Sequence, residues 1–148
     1  MPDSRITICP ACQTGNRIPL RHLADTGRCG KCKSALPPLA EPLEVDEAAF
    51  DTILSTAKVP IFVDFWAPWC GPCRAAAPEV HKLAQQVPGQ ALILKVNTDA
   101  QPALGARYRI QSIPTFLVFQ SGTPVLRQSG VAPAAEMQRW LATAKGQP

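Results

Sequence analysis

The sequence lacks an apolar run of the roughly 18–20 residues that a membrane-spanning helix requires. It also lacks the apolar stretch of an export signal, because residues 1–5 lead almost directly into a pair of cysteines. Charged residues make up 18% of the chain and apolar residues 46%, a composition that excludes an intrinsically disordered chain. We therefore expect a folded cytoplasmic protein without a membrane partner, and we take it to be a monomer.

The six cysteines form three close-spaced pairs, which excludes the disulfide framework of a small secreted domain. Four of them lie in residues 1–37, which also carry six Lys/Arg against two Asp, whereas residues 38–148 carry nine residues of each sign. The whole net charge of +4 therefore belongs to the front of the chain. Three prolines within residues 36–42 interrupt helix and sheet. We predict a small module at 1–37, a proline-rich linker at 38–42 and a larger domain at 43–148.

The larger domain has the alternating pattern of an α/β fold. Residues 61–66 and 91–97 are short, nearly unbroken apolar runs, typical of strands buried on both faces. Residues 72–87 between them have the length of a helix, which gives a β-α-β unit. The other predicted elements are a strand at 43–45, a helix at 46–54 capped by Asp46, a short helix at 102–108, strands at 115–120 and 125–129, and a helix at 133–145.

Cys70 and Cys73 lie where the first buried strand ends and the following helix begins. Unpaired backbone N–H groups and the helix dipole favour an anion there, so the thiolate of Cys70 should form at a lower pH than that of a free cysteine. The spacing lets the two sulfurs form a disulfide, with Cys70 outside to attack and Cys73 inside to resolve. Such a pair can also be half of a metal site, although no second half is evident in this domain. The pattern favours redox chemistry.

Asp64 interrupts the buried strand six residues before Cys70. Burial should raise its pKa towards neutrality, which makes it a candidate proton acceptor for the resolving thiol. The alternative is a structural ion pair with Lys95 on the neighbouring strand. Pro114 precedes the strand at 115–120, and the general frequency of X-Pro bonds favours an ordinary trans peptide there.

The front module has the spacing of a zinc site with four thiolate ligands. Two C-x2-C pairs are separated by sixteen residues, and about 37 residues are too few to bury a self-sufficient core, so a metal would supply stability. Iron or a pair of disulfides is the alternative. His22 could replace a ligand, but four cysteines are already present, so we expect a solvent-facing or hydrogen-bonded role for it. The predicted ligands are Cys9, Cys12, Cys29 and Cys32.

Residues 43–145 resemble the thioredoxin family. The resemblance rests on the run FVDFWAPWCGPC at 62–73, Pro78, KVNTD at 95–99, IPT at 113–115, Gly122 and Gly130. It implies a thioredoxin fold, a central mixed sheet flanked by helices, and a protein-disulfide reductase in which Cys70 is the nucleophile, Cys73 resolves, and Asp64 is the buried acid/base. It further implies a cis Pro114 and two supporting residues, Trp66 and Lys95. The substrate would dock on a surface formed by Trp69, Gly71, Pro72, Ile113, Gly130 and Val131.

Together with the four-cysteine zinc ribbon in front, the chain resembles the zinc-containing second thioredoxins of bacteria. That resemblance implies one structural Zn²⁺, a redox-active disulfide between Cys70 and Cys73, reduction by an NADPH-dependent thioredoxin reductase, and oxidised proteins as substrates. Oxidation of the zinc thiolates with release of the metal is a further hypothesis.

Two other functions are compatible with parts of the sequence. The basic front module could bind nucleic acid or an acidic partner, with redox activity secondary, but it has no Trp, Phe or Tyr for base stacking, so we expect no nucleic-acid partner. An oxidase or isomerase role is disfavoured by the Gly71-Pro72 dipeptide and by the missing export signal.

Overall fold

The computed structural model describes residues 3–144. Two small antiparallel hairpins come first, and each carries one C-x2-C pair at its turn. Strand β1 (Ser4–Ile8) pairs with β2 (Gly15–Pro19), and β3 (Gly27–Arg28) pairs with β4 (Ala35–Leu36). A short 3-10 helix, Leu20–His22, lies between the hairpins. We call residues 4–36 the ribbon.

A five-stranded mixed sheet forms the centre of the larger domain. Its strands are β5 (Leu43–Glu44), β6 (Ile61–Trp66), β7 (Leu92–Asn97), β8 (Thr115–Gln120) and β9 (Thr123–Ser129). They are ordered β5-β7-β6-β8-β9, with β5, β7 and β6 parallel and β8 and β9 antiparallel to their neighbours. The helices are α1 (Glu47–Thr56), α2 (Gly71–Gln86), α3 (Pro102–Arg107) and α4 (Ala134–Ala144).

Local sequence explains where the helices begin. Asp46 caps α1, because its side chain accepts a hydrogen bond from the Ala49 N–H at 2.9 Å, an interaction typically worth about 1 kcal/mol. Cys70 is the capping residue of α2, and Pro72 occupies its first turn, where a missing N–H costs nothing. Pro78 lies inside α2 and removes one hydrogen bond from its middle.

The sheet is covered by an apolar core on each face, as the strand alternation requires. One core contains α1 and the side chains of Val63, Phe65 and Leu94. The other contains α2, α4 and the side chains of Phe62 and Phe116. Asp64 and Lys95 lie on the second face, in the rows that continue from the apolar residues.

The ribbon contributes to the first of these cores. Leu20 and Leu23 are almost completely buried and belong to the same cluster as Phe50 and Ile53 of α1. The Leu39 N–H also donates to the Leu23 carbonyl at 2.9 Å, and Arg5 forms an ion pair with Glu41. The ribbon and the larger domain therefore pack together through apolar side chains, and the division at 38–42 stays a prediction about domain boundaries.

The α/β thioredoxin-type fold class is confirmed, and the order of elements in the larger domain is the predicted one. Strand β9 begins at Thr123 rather than at the predicted 125, because it pairs with β8 up to the turn formed by Ser121 and Gly122. The predicted end of the last helix at Lys145 lies outside the described residues. Among the helices at 3–144, none is long and apolar enough to cross a membrane.

Candidate active site and metal centre

The two cysteines of the larger domain are joined at the start of α2. Cys70 and Cys73 form a disulfide with their Cα atoms 5.2 Å apart. The Cys73 N–H donates to the Cys70 sulfur at 3.1 Å, because the first turn of the helix has unpaired donors. The Cys70 sulfur also lies 3.7 Å from the carbonyl oxygen of Ile113. The helix end therefore stabilises negative charge on the Cys70 sulfur once the disulfide is reduced.

The accessibility of the two cysteines differs from the expectation that one is outside and one inside. Cys70 is 3% exposed and Cys73 is 4% exposed, so both are nearly covered in the disulfide form. They pack with Ala67, and with Trp66 and Ile113 at the edge of the cluster. What distinguishes the two is their place on α2, since Cys70 precedes the helix and Cys73 lies within its first turn.

Asp64 is a buried carboxyl without a full set of hydrogen bonds. It is 1% exposed, and its Oδ1 atom has no hydrogen-bond partner within the described chain. Burial raises the pKa of Asp64 to about 7, with the positive charge of Lys95 acting in the opposite direction and the negative charge of Glu44 adding to the rise. A carboxyl with this pKa can exchange a proton near neutral pH.

Lys95 does not satisfy the free oxygen of Asp64. The two residues are register partners on β7 and β6. The ammonium of Lys95 lies over the indole ring of Trp66, 4.5 Å from the ring centroid, which is a cation–π geometry. The alternative of a structural ion pair between Asp64 and Lys95 therefore receives no support from the hydrogen bonds of Asp64, although the charge of Lys95 still favours its ionised form.

The predicted docking residues lie around the disulfide. Trp69 is 66% exposed, and its ring N–H donates to Asp99 Oδ2 at 3.0 Å. This hydrogen bond fixes the orientation of an apolar ring that faces solvent. Trp69 borders a groove of about 480 Å³ that is also lined by Arg109, Ile110 and Ile113. Exposed apolar side chains beside a groove are typical of binding surfaces.

The other side of the site is formed by the turn after β9 and by the start of α2. The Ile113–Pro114 bond is cis, as the family resemblance implies and against the expectation from general X-Pro frequency. The Gly130 N–H donates to the Pro114 carbonyl at 3.0 Å, with Gly130 at φ +93°, a conformation that favours glycine. Val131 is half-exposed beside it. Gly71 and Pro72 are exposed at the start of α2.

Two residues of this region were not predicted as site residues. Glu44 accepts a hydrogen bond from the Trp66 ring N–H at 3.2 Å, and Arg109 borders the groove beside Trp69. Glu44 could have been noticed from the alternation of strand 43–45, but its neighbours depend on the pairing of β5 with β7. For Arg109 the sequence holds no signal apart from its place in the loop before Pro114.

The four ribbon cysteines come together as predicted. Their sulfur atoms all lie within 4.8 Å of one another, with Cys9 and Cys32 3.6 Å apart and Cys12 and Cys29 3.7 Å apart. Four sulfurs bound at about 2.3 Å to a tetrahedral ion are about 3.8 Å apart, so the cluster fits zinc. His22 is not part of the cluster, since its Nδ1 atom pairs with Asp25 Oδ2 at 2.8 Å on the exposed side of the 3-10 helix.

Each cysteine pair is held by the same backbone turn. The Cys9 N–H donates to the Thr14 carbonyl and the Cys29 N–H to the Ser34 carbonyl, both at 2.9 Å. Gln13 and Lys33 occupy matching positions, with φ of 66° and 68°. The two halves of the ribbon therefore present their cysteines in the same way.

Asn16 breaks this equivalence because it connects one half to the other. Its side-chain N–H₂ donates to the Thr14 carbonyl at 3.1 Å and to the Cys29 sulfur at 3.5 Å, while its Oδ1 accepts from the Gly30 N–H at 2.9 Å. The N–H of Cys32, and after it the side chain of Asn16, lower the pKa of Cys29 to about 6. Hydrogen bonds of this kind orient metal ligands and hold them deprotonated.

The comparisons with known proteins agree with this geometry. The thioredoxin family model matches residues 41–143, and a model described as "Thioredoxin 2, N-terminal" matches residues 8–34. The chain is 40% identical over 136 residues to thioredoxin C-3 of Corynebacterium nephridii, covering 92% of each chain. It is 42% identical over 98 residues to thioredoxin 1 of Nostoc sp., covering 66% of this chain and 92% of that one.

Two solved structures are similar to the larger domain. Chloroplastic thioredoxin z matches with a TM-score of 0.66 and 28% identity, over 72% of this chain and 96% of that one. A single-site mutant of a thioredoxin from Halobacterium salinarum matches with a TM-score of 0.65 and 30% identity, over 70% and 90% of the two chains.

A two-cysteine disulfide at a helix N-terminus beside a cis proline, in a domain whose central strand carries a buried carboxyl with a pKa of about 7, defines a thiol–disulfide oxidoreductase that reduces protein disulfides. The sequence matches described above cover most of the chain and identify a narrower family than that class of enzyme. The chain belongs to the thioredoxin family, and in front of the thioredoxin domain it carries a ribbon similar to the N-terminal part of thioredoxin 2.

Proposed function

We propose that Cys70 is the attacking residue and Cys73 the resolving residue in the reduction of protein disulfides. The placement of Cys70 at the start of α2, with a backbone N–H donated to its sulfur, is the observation that supports this assignment. In the reduced protein the Cys70 thiolate attacks one sulfur of a substrate disulfide, and the other substrate sulfur leaves as a thiolate. The product is a mixed disulfide between Cys70 and the substrate.

Cys73 then completes the exchange. Its thiol loses a proton, and the thiolate attacks the Cys70 sulfur, so that the Cys70–Cys73 disulfide forms and the second substrate sulfur leaves and is protonated. Two electrons pass from the dithiol to the substrate. Asp64 accepts the proton of Cys73 in this scheme, because its pKa of about 7 and its unpartnered Oδ1 suit a base in the protein interior.

The surface around the dithiol orients the substrate. Trp69, Ile113 and Val131 offer apolar contacts. In this proposal the backbone at Pro114, Gly130, Gly71 and Pro72 is offered to the substrate. Trp66 packs against the covered side of the disulfide, and Lys95 acts on Asp64 through its charge. Oxidised proteins are the proposed substrates, an NADPH-dependent thioredoxin reductase is the proposed electron donor, and a monomer in the cytoplasm is the proposed state.

We also propose that the ribbon holds one structural Zn²⁺ through its four cysteines. The sulfur separations fit a tetrahedral ion, and the small apolar core of the ribbon, with Leu36 beside Cys9 and Cys29, is too small to hold both hairpins alone. The ion would fix the ribbon and take no part in disulfide exchange. Metal analysis of the purified protein should give one zinc per chain, and Cys12→Ser should lower that content.

Reduction of insulin by dithiothreitol tests the proposed roles in the full-length chain. Cys70→Ser should abolish the acceleration. Asp64→Asn should slow it by up to about 100-fold at pH 7, because no other group takes the proton of Cys73 as readily. Asp51→Asn, the same change at an exposed residue of α1, should have no effect. Full activity in Asp64→Asn would contradict the role of Asp64 alone, whereas full activity in Cys70→Ser would contradict the mechanism.

A further inference from the structure

Three charged residues form a row across the sheet, on the face that packs against α2. Glu44 of β5 is the register partner of Lys95 of β7, and Lys95 is the register partner of Asp64 of β6. Directly opposite residues on neighbouring strands lie on the same face of a sheet. The same face carries the apolar side chains of Phe62 and Ile93, which pack beneath α2 and α4. The row therefore places three charges beside an apolar part of the core.

Trp66 joins Glu44 and Lys95 of this row to the active site. Its ring N–H donates to Glu44 Oε2 at 3.2 Å, and its ring faces the ammonium of Lys95, 4.5 Å from the centroid. The same side chain packs against the cluster that contains Cys70 and Cys73. Glu44 therefore holds Trp66 in place beside the disulfide, although Glu44 itself lies on a strand at the edge of the sheet.

Glu44 and Lys95 act on Asp64 in opposite directions. Lys95 favours the carboxylate form of Asp64, and the negative charge of Glu44 opposes it. Neighbouring strands are about 4.8 Å apart, so Glu44 and Asp64 are separated by about 10 Å with Lys95 between them. The two carboxylates therefore share one cation.

Other charges near this row come from α2 and the linker. Lys95 borders a cleft of about 520 Å³ that is also lined by Arg74 and His81 of α2 and by Glu41. Cys73 lies in the first turn of α2, which packs on this face of the sheet. Strand β8 places Phe116 opposite Asp64, and α4 packs on this face with Met137, Trp140 and Leu141. Glu44 is the anion that shares both the strand register and a hydrogen bond with the site.

We propose that Glu44 is a positioning residue of the disulfide site, which holds Trp66, shares Lys95 with Asp64, and so sets the pH at which Asp64 exchanges its proton. The inference rests on the proposed role of Asp64 for its importance in catalysis, but the titration of Asp64 can be measured without any activity. Loss of the Glu44 charge leaves Lys95 to act on Asp64 alone, and ionised Asp64 becomes more stable.

The test is the pH titration of Asp64 in the oxidised full-length protein, followed by ¹³C NMR of its side-chain carboxyl. Glu44→Gln removes the charge and keeps an oxygen that accepts the Trp66 N–H. At a separation of about 10 Å the midpoint should fall by about 0.5–1 pH unit. Glu47→Gln is the matched control, because α1 packs on the opposite face of the sheet, and it should leave the midpoint in place.

A second variant separates charge from hydrogen bonding. Glu44→Ala should shift the Asp64 midpoint in the same direction and should also move the NMR signal of the Trp66 ring N–H, which Glu44→Gln largely preserves. The inference is overturned if the titration midpoint of Asp64 is the same in the Glu44→Gln variant as in the Glu47→Gln control. A shifted midpoint together with full insulin reduction by Asp64→Asn would uphold the inference and contradict the proposed role of Asp64 as proton acceptor.

Discussion

Truncation of Leu23 to alanine tests whether the ribbon and the thioredoxin domain unfold as one unit. Leu23 belongs to the ribbon in sequence, yet it is 3% exposed and lies in the core cluster of Phe50 and Ile53. Its carbonyl also accepts the Leu39 N–H, which ties the start of the linker to the ribbon. Removal of its side chain should therefore leave a cavity against α1.

The expected loss of stability is that of a core leucine. Buried Leu→Ala substitutions cost about 2–5 kcal/mol, through lost burial and the cavity that remains. In a chain of this length 1 kcal/mol corresponds to about 2–4 °C, so the melting temperature should fall by about 4–20 °C. Ile8→Ala is the control, because Ile8 is an exposed apolar residue of the same ribbon, and it should change stability by less than about 1 kcal/mol.

Tryptophan fluorescence makes the assay specific. Trp66, Trp69 and Trp140 all lie after residue 43, so their signal reports the thioredoxin domain and not the ribbon. A lower melting temperature by fluorescence in Leu23→Ala shows that a ribbon residue stabilises the thioredoxin domain. If Leu23→Ala alters zinc retention but leaves the fluorescence transition where it is in the unmutated protein, the shared core is refuted.

Three further predictions concern Asp64, the metal centre and the docking surface. The pKa of Asp64 rises from 3.8 to about 7 on folding, so the stability of the folded protein falls as the pH rises through this range. Asp64→Asn should therefore stabilise the protein at pH 8, by at most about 4 kcal/mol in urea unfolding. At pH 3, where Asp64 is protonated in both states, the substitution should have no such effect. Asn16→Ala should speed zinc transfer to a chromogenic chelator by about 10–100-fold, with Arg17→Gln as an unaffected neighbour. Trp69→Ala should lower kcat/KM for a protein disulfide by about fivefold or more, because an exposed aromatic anchor is lost.

Features that depend on residues close in sequence were predictable. The C-x2-C spacings predicted both the disulfide pair and the four-sulfur cluster, because a single turn brings each pair together. The apolar runs predicted the buried strands, and the position of Asp64 within one of them predicted its burial. In each case the signal that predicts the feature lies in a short stretch of chain.

Features that depend on packing between distant segments were not predictable. Leu20 and Leu23 are two leucines in a basic module, and nothing in their spacing indicates that they pack against α1. The row of Glu44, Lys95 and Asp64 requires the register of β5 on β7 and of β7 on β6, which the sequence does not encode locally. The covering of Cys70 by its surroundings is likewise a tertiary effect.

The most direct test of the redox mechanism is to trap the mixed disulfide and locate it by mass spectrometry. Zinc-loaded Cys73→Ser protein, incubated with an oxidised peptide disulfide, should accumulate an adduct that maps to Cys70, because the resolving thiol is absent. Cys70→Ser should form an adduct at Cys73 far more slowly. Equal or faster trapping at Cys73 would contradict the account.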